Sequence, residues 1–409
     1  MIRIVPSPRD RAEDLYDAVA KVFSRGGGYH EMMGCCRKGY FVGSSYDWGV
    51  SRVAMDGERI VSHIGSWRYL MRVGRARLVT GGIGAVLTHP DYRKRGTARR
   101  VFRSLLSAMR EAGYHASVLF GIRGFYDRFG YVQAWPRTDL VVQTDELAGP
   151  ELKFKVRQVA KTEVYCGRGA IMRIYNRDNA TRTGTAERPI YTLSEGLHGD
   201  FRCHALCDSA GRTQGYVLTR GGRGEMAVLE AGGLTGCGVG QLIAAIRTLA
   251  RRGKNYKVRL SCFSYEHPLC QALRRGHCTV EMNHSRSGGA MVAVLSLAGC
   301  LSAMCGELSD RLCRSGLKGF KGRLAIGRGA QAVVLEIGGG KVALARGQAK
   351  TPNRIVAGTE VARLIIGAES PQAMAAQGEI KFTGAGAAAN LAEALFPKQW
   401  PSLYRIDGF

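Results

Sequence analysis

Between Val79 and Ala98 the chain reads VTGGIGAVLTHPDYRKRGTA, and no other stretch restricts the fold as much. A strand-like segment, Arg77–Leu87, runs through Pro90 into a helix that begins near Gly96. Val101, Leu105, Ala108, Met109 and Ala112 fall on one side of that helix, and Gly113 ends it. A helix opening at Arg93-x-x-Gly96-x-Ala98 offers free backbone N–H groups and the positive end of its dipole to whatever precedes it. Gly96 and Ala98 leave the approach open around Thr97, while Arg93, Lys94 and Arg95 add full charges. A pyrophosphate suits such a loop. It is neither a GxxxxGK[ST] Walker loop nor a GxGxxG following a strand.

The elements around this run predict an α/β unit. Ser7 is the expected cap of a first helix with Pro8 at its first position, and Leu15, Ala18, Val19, Val22 and Phe23 share a face. A hairpin turning at Asp56-Gly57 joins Arg52–Met55 to Arg59–Ile64. Another strand, Ala116–Phe120, follows the helix. From about 146 to 290 the same grammar repeats more loosely. A strand at Glu225–Leu229, a glycine-rich turn, a helix through Ile243, Ile246 and Leu249, and a strand at Tyr256–Cys262 succeed one another. The remainder, about 291–409, is expected to open with a strand at Ala290–Leu297. A helix carrying Leu301, Met304, Leu308 and Leu312 comes next, and the segment continues as α+β. At 409 residues, two or three domains are the natural expectation.

The Arg93-x-x-Gly96-x-Ala98 loop resembles the pyrophosphate loop of the GCN5-related N-acetyltransferase (GNAT) superfamily. The run Gly124-Phe125-Tyr126-Asp127-Arg128-Phe129-Gly130-Tyr131, some thirty residues on, is similar to that superfamily's later helix and turn. Two motifs in this order are far more specific than either alone. The layout further resembles the enhanced-intracellular-survival acetyltransferases. That resemblance implies a catalytic GNAT domain at 1–145 with a splayed mixed sheet, a degenerate GNAT-like domain at 146–290, and a sterol-carrier-protein-like domain at 291–409. It also implies acetyl-CoA as co-substrate, bound by the loop residues Arg93 to Ala98 and by backbone groups of Val86 and Thr88, with Arg128 reaching a phosphate. Tyr126 is then the general acid and the Phe409 carboxylate the general base. Glu31 and Asp407 are the acidic candidates for holding the acceptor, a small-molecule or peptide primary amine: aminoglycoside-like, polyamine or lysine. A homo-oligomer, as large as a hexamer, is also implied.

Composition narrows the alternatives. A net charge of +26 favours a polyanionic ligand, yet no aromatic-rich basic stripe supports nucleic acid. The same charge opposes a polycationic acceptor unless acidic groups gather locally. The twelve cysteines contain no CxxC, and Cys203-His204 and His277-Cys278 are the nearest approach to a metal cluster, so no metal is expected. No apolar run is long enough for a membrane span and no signal peptide is evident, which points to the cytosol. The rival reading is a non-catalytic acyl-CoA-binding or lipid-carrier protein.

Overall fold

The computed structural model describes residues 1–24, 28–122, 124–165, 169–189, 200–327, 332–345, 351–384 and 386–409. Its first sheet grows from long apolar strands. In chain order these are β1 (Arg3–Pro6), β2 (Arg52–Asp56), β3 (Arg59–Val73), β4 (Ala76–Thr88), β5 (Ala116–Ile122) and β6 (Val132–Gln133). Helices α1 (Ala12–Phe23) and α2 (Tyr29–Cys35) precede β2, and α3 (Thr97–Glu111) links β4 to β5. Strands β1 to β4 are antiparallel neighbours, and β5 lies parallel to β4. Val101, Phe102, Leu105 and Met109 of α3 are buried against Ile64, Ile83 and Leu119, so most of the amphipathic face read from the sequence packs, while Ala112 is exposed at the helix end.

The second sheet repeats that plan. It contains β7 (Arg137–Gln143), β8 (Lys155–Val159), β9 (Arg202–Cys207), β10 (Thr213–Gly221), β11 (Glu225–Gly232), β12 (Lys257–Ser261) and β13 (Thr279–Asn283). Helices α4 (Lys161–Tyr165) and α5 (Ala170–Asp178) follow β8, α6 (Val239–Arg252) joins β11 to β12, and α7 (Pro268–Leu273) follows β12. Four antiparallel strands, β8 to β11, are again followed by a parallel partner, β12.

The two sheets exchange strands. Strand β14 (Ser287–Val294) leaves β13 and inserts between β5 and β6 of the first sheet. Reciprocally, β7 leaves β6 and inserts between β12 and β13 of the second. The strand expected to open the C-terminal segment therefore completes the first sheet. Only residues 134–136 separate β6 from β7, so the chain passes directly from one sheet into the other.

After α8 (Leu297–Arg314) comes a five-stranded sheet of β15 (Gly322–Ile326), β16 (Val333–Gly338), β17 (Lys341–Leu344), β18 (Arg354–Ala357) and β19 (Ile380–Thr383). Leu301, Met304, Leu308 and Leu312 of α8 are fully buried in a core shared with Met71, Val73 and Leu78 of the β3–β4 hairpin. Among the described residues no helix is long and apolar enough to cross a membrane.

Two local expectations are corrected. Helix α1 begins at Ala12 without a side-chain cap, because the Ser7 hydroxyl meets the Tyr46 hydroxyl at 2.7 Å instead. Its buried face is Leu15, Tyr16, Val19 and Ala20, leaving Val22 and Phe23 exposed. The hairpin turns at Gly57-Glu58, with Asp56 paired to Arg59. Glycine leads this turn because its first central residue has φ +56°, which costs glycine nothing.

Candidate active site

The site begins where β4 and β5 part. Their parallel pairing covers Thr80–Ile83 against Ala116–Leu119 and stops there, although both strands continue. On its other side β4 carries a bulge. His63 pairs with Leu87 and Gly65 with Gly84, so Ala85 and Val86 stand opposite the single residue Ile64. Ala85 takes φ +45°, and its carbonyl accepts a hydrogen bond from His63 Nδ1 at 2.8 Å. His63 Nε2 in turn lies 2.7 Å from the Tyr46 hydroxyl. Burial lowers the pKa of His63 to about 4, so the imidazole is neutral and its single N–H holds the bulge.

Beyond Thr88 the chain turns through a short 3-10 segment and reaches Gly96, whose φ of +74° opens α3 with no side-chain cap. The first amides of α3 are thus left for another acceptor. Arg93, Lys94 and Arg95 are exposed around this end, Thr97 is buried and Ala98 half-buried. Arg93 Nε donates to the Thr88 carbonyl at 3.1 Å, and Arg95 lies over the Tyr92 ring. Val86 and Thr88 are half-buried on the free stretch of β4. This uncapped, cation-rimmed helix start beside a divergent strand pair fits a pyrophosphate with an extended amide chain.

Tyr126 approaches from the second motif. Phe102 of α3 meets the rings of Tyr126, Phe129 and Tyr131 at centroid distances of 5.5, 4.5 and 5.8 Å, so one side chain ties the two motifs together. Tyr126 is buried, and a Cβ at Gly121 on β5 would run into its ring at 2.5 Å. Burial raises its pKa above the ordinary tyrosine value, so the hydroxyl keeps its proton at neutral pH. Arg128 is exposed, donating to the Gly124 carbonyl at 3.0 Å and stacking over Phe125.

The C-terminal residues thread back into the first sheet. The Phe409 ring packs on Tyr69 at 5.1 Å and on Phe120 at 6.5 Å, over Gly82 of β4, where a Cβ would collide with it. The terminal carbonyl carbon lies 3.0 Å from where a Cβ at Gly84 would stand, and the Tyr40 hydroxyl lies at the same distance. Asp407 is placed differently from Glu31. Its carboxylate is buried, accepting from Arg188 at 2.8 and 2.9 Å and from the Tyr175 hydroxyl at 3.1 Å. Arg188 also spans Glu230, and the Tyr216 hydroxyl closes that end at 2.5 Å. Asp407 therefore anchors the tail, while Glu31 is exposed on α2. In the Cys203-His204 pair, Cys203 is a buried thiol and His204 faces Thr219 at 3.1 Å.

The corresponding helix start in the second sheet also lacks a side-chain cap, but there the 147–153 segment lies against it. Gln241 of α6 accepts from the Lys153 amide and donates to the Glu151 carbonyl, both within 2.9 Å. Arg247 ties the same segment through the carbonyls of Leu147, Gly149 and Pro150.

Residues 8–134 match the acetyltransferase (GNAT) domain family. No curated relative matches the chain in sequence. Among solved structures, the GCN5-related N-acetyltransferase from Anabaena variabilis ATCC 29413 is similar over 100% of both chains, with a TM-score of 0.76 at 17% identity. A probable N-acyltransferase from Enterococcus faecalis V583 follows at 0.74 and 15%, and Eis1 from Mycobacterium abscessus at 0.70 and 14%, again over 100% of both chains. The fold is thus mixed α/β with two GNAT-like sheets and a third, additional sheet. Around the matched segment, sequence reasoning missed His63, Tyr40 and the Phe409 contact with Gly82. The Gly81-Gly82-Ile83-Gly84 run was the available signal, since glycines inside a strand mark close approach of another group.

Proposed function

We propose that the protein is an N-acetyltransferase that moves an acetyl group from acetyl-CoA to a primary amine. The observation that carries this reading is the uncapped start of α3 beside the point where β4 leaves β5. Arg93, Lys94, Arg95, Gly96, Thr97 and Ala98 would hold the pyrophosphate, with Arg128 as a further cation. Backbone groups of Val86 and Thr88 would meet the amide arm. Acetyl-CoA supplies an activated thioester. An alkyl amine must lose its proton before attack, which costs about 4–5 kcal/mol at neutral pH without help. In this reading the Phe409 carboxylate accepts that proton, directly or through water, and Tyr126 gives one to the departing sulfur. The raised pKa of Tyr126 and the packing of Phe409 over β4 support those roles. A homo-oligomer and a sterol-carrier-like role for the third sheet belong to the same proposal.

The test is mass-spectrometric detection of acetylated product from acetyl-CoA and a panel of amines. Product that disappears in Tyr126→Phe, and when one residue is appended after Phe409, supports both the reaction and its acid and base. Acetyl-CoA binding without any amine modified, across other acyl-CoAs too, favours the carrier reading.

A further inference from the structure

Between the two large sheets, beside the C-terminal residues, lies a cavity of about 440 Å³. Phe409 and Phe120 form one wall, and Trp135 and Phe263 contribute further aromatic surface. Its charged lining side chains are Arg137 and Arg405, and among the described residues no aspartate or glutamate lines it.

The positive charge there is only partly balanced. Arg137 meets Asp139 at 2.8 Å and the Ser261 hydroxyl at 3.1 Å. Asp139 also faces Arg259, which pairs in addition with Glu225 and Glu281. Among the described residues, neither Arg405 nor the nearby Arg220 has a carboxylate within ion-pair distance. Burial, then the like charges of Arg405 and Arg137, lower the pKa of Arg220, so these guanidiniums feel one another. Two titratable wall groups remain: Cys262, whose thiol burial keeps neutral, and the C-terminal carboxylate of Phe409, a single negative charge against the guanidiniums of Arg137, Arg405 and nearby Arg220. With the Phe409 carboxylate assigned to the amine proton, the clustered guanidiniums on this aromatic-walled cavity are relieved by a further anion.

We infer that this cavity receives the acceptor, and that the acceptor carries an oxyanion, carboxylate or phosphate, which Arg405 and Arg137 hold. The apolar body would lie on Phe120 and Trp135, directing the amine toward Phe409. This rests on the proposed acetyl transfer, because Phe409 both lines the cavity and packs over Gly82, one residue before the β4–β5 pairing ends at Ile83. A polycationic acceptor would meet like charge instead.

Matched amines with and without the oxyanion test the inference: L-phenylalanine against phenethylamine, and O-phosphoethanolamine against ethanolamine, with kanamycin as the polycation. The oxyanion-bearing member of at least one pair is expected to lead in kcat/KM by about tenfold or more, the scale of one charge-assisted hydrogen bond. The pair that responds identifies carboxylate or phosphate. Arg405→Met should erase the lead and Arg405→Glu reverse it, with acetyl-CoA affinity unchanged. Equal values within both pairs, preference for kanamycin, or a lead that survives both variants would overturn the inference. Calorimetric titration of the same amines separates the two readings. If nothing is acetylated, the transfer reading fails. An Arg405-dependent preference in binding would still support the cavity's specificity, and its absence would overturn it.

Discussion

His63 shows how one side chain shapes the site without facing a ligand. Its folded pKa of about 4 lies below the ordinary value of 6.5, so the unfolded chain takes up a proton that the native state refuses. Above pH 6.5 this costs nothing; as pH falls toward 4 native stability drops, by about 3 kcal/mol in all. His267, whose pKa is also lowered by burial, adds to the same slope. Melting temperatures from pH 7 to 4 should therefore fall, and His63→Gln should fall less steeply from a lower start. At Tyr126, loss of the hydroxyl in Tyr126→Phe should cut kcat by about a hundredfold, the range of general acid catalysis. Acetyl-CoA affinity, read by calorimetry, should stay within about twofold, since the ring still packs on Phe102. Gly82→Ala should displace the Phe409 ring and lower kcat more than it weakens acetyl-CoA binding. An unchanged kcat there would mean that the tail has no part in the chemistry.

The C-terminal tail is held by the short 3-10 turn Arg405–Asp407. Its anchor lies in the second sheet's core: Asp407 and Glu230 flank Arg188, whose guanidinium rests 3.5 Å from the Tyr175 ring centre. Breaking one arm of a buried ion cluster is costly because it leaves charge imperfectly paired. Asp407→Asn should lower stability by about 3 kcal/mol in denaturant unfolding. Carboxypeptidase should then remove Phe409 faster from the variant than from the unchanged protein. Equal trimming rates would show that the tail is secured elsewhere. The bulge at Ala85 and the start of α3 do not depend on this anchor, so acetyl-CoA binding should survive the substitution.

Across the whole molecule the decisive feature is the reciprocal exchange of β7 and β14. Each sheet is completed by a strand encoded beside the other. A fragment of residues 1–145 lacks β14, which pairs with β5 from Ser287 to Val294 and joins it to β6. It retains a long unpaired strand edge rich in apolar residues, a setting for aggregation. We expect that fragment to be insoluble or to lack a cooperative melting transition by circular dichroism, whereas the full chain melts cooperatively. A soluble, cooperatively folded 1–145 would contradict this.

The sequence by itself determined the local pieces: the strand, turn and helix around Arg93-x-x-Gly96-x-Ala98 and the buried faces of α3 and α8. These are legible because periodicity, glycine conformation and helix-end chemistry act over a few residues. Tertiary structure alone decided which sheet β7 and β14 join, why Ser7 serves Tyr46 instead of capping α1, and why Asp407 meets Arg188. Those outcomes depend on partners tens to hundreds of residues away, whose pairing leaves no periodic trace. A buried carboxylate and an exposed one are the same letter in the chain; only the fold supplies the opposite charge that makes burial tolerable.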